Sequence, residues 1–255
     1  MKTSLITGAS SGIGYKMAKL FTSHGHNLVL VARNYDRLKE ISKELAIGKS
    51  IQIQTLVADL SQTDSANKLY RQLMEKSIHV NYLVNNAGFY IKGSFADSSW
   101  EKEEELIQIQ CIQHTHLTKL LLPEMIKSGD GGILNVCSTG SFIPGPFNAI
   151  YCAAKSFVLS FSEALAEEVK GTGVHVTALC PGGTKTNLQD FNNRKMGFME
   201  ASSVAKAGYH GFFKGKRLVI PGIGNKLQVF LARILPKRMV IKMASAFMKK
   251  QIEKP

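Results

Sequence analysis

Apolar residues in this chain fall into short unbroken runs, and stretches with helical spacing separate those runs. The runs are Leu5-Ile6, Leu28-Val29-Leu30-Val31, residues 51–57, Tyr82-Leu83-Val84, residues 133–136, residues 174–179 and Leu218-Val219-Ile220. A strand buried on both faces reads as such a run, whereas a half-exposed strand alternates. Helical segments lie between them at 13–23, 35–46, 65–76, 100–127 and 149–170; the second shows the spacing Leu38, Ile41, Leu45. Strands alternating with helices predict a parallel sheet of about seven strands with helices on both faces. Right-handed crossovers wind such a sheet doubly and open a cleft at the carboxyl ends of its strands.

Glycines mark where that cleft binds. Thr7-Gly8-Ala9-Ser10-Ser11-Gly12-Ile13-Gly14 joins the first strand to the first helix. Glycine permits a tight turn and the close approach of a pyrophosphate, and a helix N-terminus favours the anion. The α/β fold is therefore Rossmann-like, with Gly8, Ser10, Ser11, Gly12, Ile13 and Gly14 as candidate dinucleotide ligands. The second strand ends at Val31-Ala32-Arg33-Asn34. An acid there would suit a ribose 2′-hydroxyl, and an arginine accommodates a 2′-phosphate. Arg33 favours NADP(H) over NAD(H), and Asn34 is the expected cap of the next helix.

Tyr-x-x-x-Lys occurs three times, as Tyr15/Lys19, Tyr35/Lys39 and Tyr151/Lys155. The four-residue spacing puts phenol and ammonium on one helix face. For the first two pairs the plain expectation is a tyrosine packed on a lysine stem. The third opens a helix directly after the strand that ends at Ser138. A phenol with an ordinary pKa of about 10 transfers protons poorly at neutral pH, and a fixed cation beside it lowers that value. Ser138, Tyr151 and Lys155 are thus the candidate catalytic set of a nicotinamide-dependent carbonyl reductase or alcohol dehydrogenase.

These motifs resemble the short-chain dehydrogenases/reductases of the ~250-residue type, over essentially the whole chain. The likeness rests on the glycine turn, Asp59 after the third strand, Asn85-Asn86-Ala87-Gly88 after the fourth, Ser138, Tyr151-Cys152-Ala153-Ala154-Lys155, and Pro181-Gly182-Gly183-Thr184-Lys185-Thr186. The resemblance implies that Asp59 and the neighbouring Leu60 sit at the adenine, and that Asn86, Ala87 and Gly88 support the cofactor site. It implies that Lys155 also binds the nicotinamide ribose, and that Pro181, Gly182, Thr184 and Thr186 flank the nicotinamide. Many members carry an asparagine in the helix before strand five, which helps hold a relay water. Counting back from Leu122-Pro123-Glu124-Met125, that position is Gln110, whose side chain is one methylene longer. A displaced or slower relay is expected. The tail resembles a bacterial subgroup of general short-chain dehydrogenases, which names no substrate.

At 255 residues, 44% hydrophobic, the chain suffices for one well-filled core. We expect a single dinucleotide-binding and catalytic domain over 1–255, with 223–255 a basic helical extension. No stretch reads as long and apolar enough to span a bilayer. Met1-Lys2-Thr3 runs straight into strand-like sequence, so no signal peptide is expected. Cys111, Cys137, Cys152 and Cys180 lack Cys-x-x-Cys spacing and read as reduced cytosolic thiols. The seven histidines form no ligand pattern, and no metal is expected. The charge run Glu101-Lys102-Glu103-Glu104-Glu105 reads as a solvated first helical turn.

The net charge of +13 is uneven. From Lys214 onward there are eleven Lys or Arg against the single acid Glu253, so this tail holds +10 of the total. Leu227, Phe230, Leu231 and Ile234, and then Val240, Met243, Ala244, Phe247 and Met248, have helical spacing among the cations, so two amphipathic helices are expected around Pro236. Their apolar faces either pack on the parent domain or its dimer mate, or meet a membrane surface or an acidic partner. The tail lacks the interleaved aromatics that single-strand binding favours, and nucleic acid is not expected. The loop from Asn187 to Ala201 carries Phe191, Met196, Phe198 and Met199, which suit a hydrophobic or acyl-type ketone and equally suit simple packing.

The expected function is NADP(H)-dependent interconversion of a carbonyl and an alcohol. The alternative is an NADPH-binding sensor or scaffold with little turnover. The expected assembly is a homodimer or homotetramer built on the helices at 100–127 and 149–170. The expected location is cytoplasmic, with the tail as a candidate peripheral membrane contact.

Overall fold

A computed structural model describes residues 1–186 and 198–252. The chain runs β1 (Thr3–Thr7), α1 (Gly12–Ser23), β2 (Asn27–Ala32), α2 (Tyr35–Ala46), β3 (Ile53–Val57), α3 (Ser65–Glu75), β4 (Tyr82–Asn85), α4 (Trp100–Ile107), α5 (His114–Ser128), β5 (Gly131–Val136), α6 (Ala149–Glu168) and β6 (Val174–Leu179). It continues through β7 (Thr184–Lys185), β8 (Met199–Glu200), α7 (Ala201–Phe213), β9 (Leu218–Val219), α8 (Ile223–Ile234) and α9 (Lys237–Ile252). Seven strands form one parallel sheet in the order β3-β2-β1-β4-β5-β6-β9, the doubly wound arrangement expected. The pair β7–β8 was not expected and forms a separate two-stranded sheet.

Successive residues of each strand serve opposite faces, which is why the runs are continuous. Leu5, Val29, Leu83 and Ile133 are buried beneath Leu69 and Leu73 of α3, Leu117 and Leu121 of α5, and Leu165 of α6. Their neighbours Ile6, Leu30, Val84 and Leu134 are buried with Met17 and Phe21 of α1, Leu38 and Ile41 of α2, and Val204 and Phe212 of α7. The strand order reverses where β1 lies between β2 and β4, so the cleft opens at the carboxyl ends of those strands. Asn34 caps α2, accepting from the Arg37 amide at 2.9 Å.

Four expectations need correction. The helix expected over 100–127 is two helices joined by a π-helical stretch, Gln108–Gln113; one extra residue per turn shifts the apolar period there. The acidic run is not wholly solvated. Glu103 is only 5% exposed, because it lies one turn before the buried Leu106 on the inward face of α4. The strand expected at 51–57 begins two residues later, at Ile53. Finally, α6 is long and apolar enough by length and composition to cross a membrane. Here it lies in the fold, with Val158 and Leu165 buried.

The two tail helices break at Pro236 as expected. Their packing is divided. Val229, Val240 and Met248 are buried, whereas Ile223, Leu227, Phe230, Ile234, Met243 and Phe247 are exposed. Of the loop expected to shape substrate choice, Phe191 and Met196 lie outside the described residues.

Candidate active site

The glycine turn is shaped by what a side chain would strike. Gly8 and Gly12 have φ of +64° and +54°, the left-handed region that favours glycine. A Cβ on Gly8 would lie 2.8 Å from the Asn86 amide nitrogen, and one on Gly12 2.9 Å from a Thr186 methyl. Gly14 differs from the other predicted residues: it does not line the cleft but packs against the Gly8 carbonyl behind it, letting α1 approach the turn.

Asn86 and Thr7 hold the two sides of the cleft together. The Thr7 hydroxyl accepts from the amides of Asn86 and Ala87, both at 3.0 Å. The Asn86 side chain donates to the carbonyls of Thr7 at 3.0 Å and Gly8 at 3.1 Å. Arg33, Asp59 and Leu60 line the far end. Burial works to raise the Asp59 pKa, but hydrogen bonds from the Ser61 amide and hydroxyl, with the charge of Arg33, bring it below its usual value. Asp59 is therefore an anionic acceptor. Arg37, which sequence reasoning missed, reaches from α2 to the Ser10 carbonyl at 3.5 Å and pairs with Glu40.

At the other end, Ser138, Tyr151, Lys155 and Gln110 line the same cleft, with Pro181, Gly182, Thr184 and Thr186 beside them. Ser138 lies two residues beyond β5, which ends at Val136 and not at Ser138 as expected; its backbone is extended, and its Oγ accepts from the Gly140 amide at 3.0 Å. The Ser141 hydroxyl accepts from the Ser138 amide at 3.3 Å and donates to the Lys155 carbonyl at 2.8 Å, fastening this turn to α6. Lys155 is 6% exposed and donates to the Val136 carbonyl at 2.8 Å. Burial lowers its pKa.

The Lys155 ammonium lies 5.8 Å from the Tyr151 ring centroid. The cation was expected to lower the phenol's pKa. Instead, burial pushes Tyr151 well above its ordinary value, and it is the hydrogen bond with Ser138 that works the other way. Tyr151 is thus a neutral phenol, a form that donates a proton. The other two Tyr-x-x-x-Lys pairs are surface packing, as expected. Lys19 sits 4.9 Å from the Tyr15 ring centroid and Lys39 5.9 Å from that of Tyr35. The Tyr15 hydroxyl is taken by Glu44 at 2.7 Å.

Gln110 sits within the π-helical stretch and is 1% exposed. Its amide donates to the Phe89 carbonyl at 2.8 Å, while its Oε1 is buried with no partner among the described residues. A buried, unpaired acceptor is costly, and a hydrogen-bond donor in the cleft would satisfy it. Sequence reasoning also missed Tyr90, whose ring meets Tyr151 edge-on, and His114, buried beside Phe161. Both contacts join residues far apart in the chain, so no local pattern announces them.

A family model described as short chain dehydrogenase matches residues 2–197. The chain belongs to the short-chain dehydrogenase family. Within that family it is 31% identical over 209 residues to an uncharacterised oxidoreductase of Staphylococcus epidermidis, covering 81% of this chain and 88% of the relative. Among solved structures it is similar to a short-chain dehydrogenase from Sphingobium yanoikuyae in complex with NADPH, at a TM-score of 0.81 and 30% identity, covering 100% of this chain and 96% of the other. It is also similar to a bulky-bulky ketone specific alcohol dehydrogenase from Comamonas testosteroni, at a TM-score of 0.80 and 28% identity, covering 100% and 95%. This short-chain dehydrogenase is an oxidoreductase of alcohols and carbonyls. The glycine cradle, in which a Cβ would collide, and the anionic Asp59 beyond it fit the family's nicotinamide dinucleotide.

Proposed function

We propose that this short-chain dehydrogenase is an NADP(H)-dependent carbonyl reductase, reversible to an alcohol dehydrogenase, acting on a hydrophobic or acyl-type ketone. The observation that carries this reading is the convergence of Ser138, Tyr151 and Lys155 at one end of a cleft whose other end holds Arg33. The bound dinucleotide supplies or accepts the hydride. Tyr151 donates its proton to the carbonyl oxygen, for which its neutral phenol is the required form. Ser138, whose oxygen is already an acceptor for the Gly140 amide, donates its own hydrogen to that same oxygen. Lys155 holds its charge near the phenol and presents its remaining hydrogens to the ribose. Gln110 offers Oε1 to the proton relay. Gly8, Ser10, Ser11, Gly12 and Ile13 receive the pyrophosphate, Asp59 and Leu60 the adenine, and Arg33 the 2′-phosphate.

The similarity to a structure in complex with NADPH supports the choice of NADP(H), as does the absence of an acid in the Arg33 position. The similarity to a bulky-ketone enzyme supports a hydrophobic substrate. The scaffold alternative is not favoured, because Ser138, Tyr151, Lys155 and Gln110 line one cleft. Screening NADPH oxidation against aldehydes, ketones and 3-oxoacyl thioesters tests the reading. Absence of turnover on every carbonyl, with NADPH bound, would restore the scaffold.

The chain acts as one domain and assembles as a homodimer or homotetramer. Phe157 and Phe161 support this: their rings stack, 6.4 Å apart and nearly parallel, and Phe157 remains exposed on α6. Light scattering at micromolar concentration checks the assembly. The outward apolar residues of α8 and α9, set among cations, support a peripheral contact with an anionic membrane or an acidic protein. Co-sedimentation with anionic and neutral vesicles separates these two.

A further inference from the structure

Each tail helix turns an apolar stripe outward. On α8, Ile223, Leu227, Phe230 and Ile234 recur at helical spacing and are all exposed, Ile223 by 86%. On α9, Met239, Met243 and Phe247 do the same, Phe247 by 63%. Val229 of α8 and Val240 and Met248 of α9 are buried, so other sides of the two helices hold them on the domain. Lys226 and Arg233 of α8 are exposed, as are five cations of α9, Arg238 and Lys242 among them. Among the described residues none of these seven cations forms an ion pair. Residues 201–252 contain no Asp or Glu.

The inner side of α9 meets the catalytic end of the cleft. The Tyr90 hydroxyl lies 3.8 Å from Met248 Sδ, and the Tyr90 and Tyr151 ring centroids are 5.1 Å apart. Arg233 lies over the Phe142 ring at 5.0 Å and Lys249 over that of Phe147 at 5.8 Å, both rings belonging to the segment between Ser138 and Tyr151. Whatever covers the outer side of α9 is therefore separated from that end of the cleft by roughly one helix diameter, 10 Å.

We infer that the outward face of α8 and α9 docks on an anionic lipid bilayer, and that the catalytic end of the cleft, turned toward the lipid, takes a ketone dissolved there. A bilayer supplies hydrocarbon just beneath anionic headgroups and needs no matched shape, so it satisfies both stripes and their cations at once. An acidic protein would need, besides its acids, apolar ridges fitted to two helices broken at Pro236. The docking stands without the reductase reading; the delivery of substrate rests on it.

The test uses the full chain with vesicles of phosphatidylcholine alone or mixed with phosphatidylglycerol. The parent should bind the mixed vesicles at least about tenfold more tightly, and salt should weaken that binding. Any cationic protein adsorbs to such vesicles, so two double variants separate docking from adsorption. Arg238→Glu with Lys242→Glu should cost roughly a hundredfold in affinity, at about fivefold per unit of charge. Leu227→Ser with Phe230→Ser, which leaves every charge in place, should cost at least about tenfold through lost hydrocarbon burial. All four positions are exposed, and circular dichroism confirms that each variant is folded. No binding at low salt, or loss on charge reversal but not on the apolar change, overturns the docking. So does a parent dimer that light scattering shows the apolar change to dissolve, since a second copy would then cover the face. For delivery, NADPH oxidation is followed with 2-butanone in solution and 2-hexadecanone in the vesicles. The mixed vesicles should speed reduction of 2-hexadecanone at least about tenfold over neutral ones, and both double variants should lose that gain while 2-butanone stays within twofold. If 2-butanone is reduced and 2-hexadecanone is reduced alike in both vesicles, delivery falls and the reductase reading stands. If neither ketone is reduced but both variants lose vesicle binding, the reductase reading fails and the docking stands.

Discussion

Tyr90 stands edge-on to Tyr151, with ring centroids 5.1 Å apart and planes at 82°. An aromatic pair in this arrangement fixes the direction of each ring beyond what burial alone does. It also adds a neighbour that disfavours ionisation of Tyr151, on top of desolvation. The proposed acid is therefore held both in place and in its neutral form.

Tyr151→Phe keeps the ring, and with it the contact to Tyr90, and removes the proton. Activity should fall below a tenth of the parent's, which corresponds to about 1.4 kcal/mol or more of lost barrier reduction. NADPH affinity, read by fluorescence titration, should change less than twofold. Activity above a tenth would assign the proton to another group.

Arg33→Ala should weaken NADPH binding about tenfold and leave NADH binding nearly unchanged, because the guanidinium would contact only the 2′-phosphate. Both dissociation constants can be measured on the same preparation. Equal losses, or tighter NADH binding by the parent, would contradict the assignment of this end of the cleft.

Gln110→Asn shortens the amide to the length common in the family. Turnover should be kept or raised. The Phe89 carbonyl should lose its donor in exchange, at a cost to stability of about 1 kcal/mol. Urea denaturation reads the second effect and steady-state kinetics the first. A collapse in kcat with the fold intact would show that the longer side chain is required.

His114 is held neutral. Burial, with the nearby Lys155 charge, lowers its pKa to about 3, against the influence of its Asn135 hydrogen bond. Its depressed folded value means that the unfolded chain takes up the proton first as pH falls below about 6.5, so stability should decline from there down to about pH 3. His114→Gln removes that titration. Between pH 7 and pH 4.5 the parent should lose about 2 kcal/mol more stability than the variant, by urea midpoint. Parallel losses would place the acid sensitivity elsewhere.

Much of the fold was legible because the relevant physics is local. Double burial makes strands such as Val174–Leu179 continuous, and Asn34 and Pro236 begin and interrupt helices by their own backbone chemistry. The glycine turn was legible for the same reason, although only Gly8 and Gly12 of its three glycines have positive φ. What escaped depends on distant partners. The π-helical stretch at Gln108–Gln113 is a one-residue shift in a helix whose composition barely changes. Glu103 looked solvated because its neighbours are charged, and only the packing of α4 turns it inward. The Tyr151 phenol was misjudged because spacing reveals the cation but not the burial that outweighs it. Tyr90 meets Tyr151 from far along the chain, and Arg37 reaches the Ser10 carbonyl from α2, contacts that no local spacing announces.

The Ser141 hydroxyl does not line the cleft, yet it ties the Ser138 amide to the Lys155 carbonyl. Ser138 follows β5, an interior strand of the sheet, and Lys155 belongs to a helix packed on that sheet, so thermal sliding of one layer over the other would ordinarily change their separation. With one oxygen shared between the two backbones, such sliding carries both groups together. The alignment of Ser138 with Lys155 is in this way buffered against the rest of the molecule's breathing. Loosening it would appear as a broadened distribution of distances around an unchanged average.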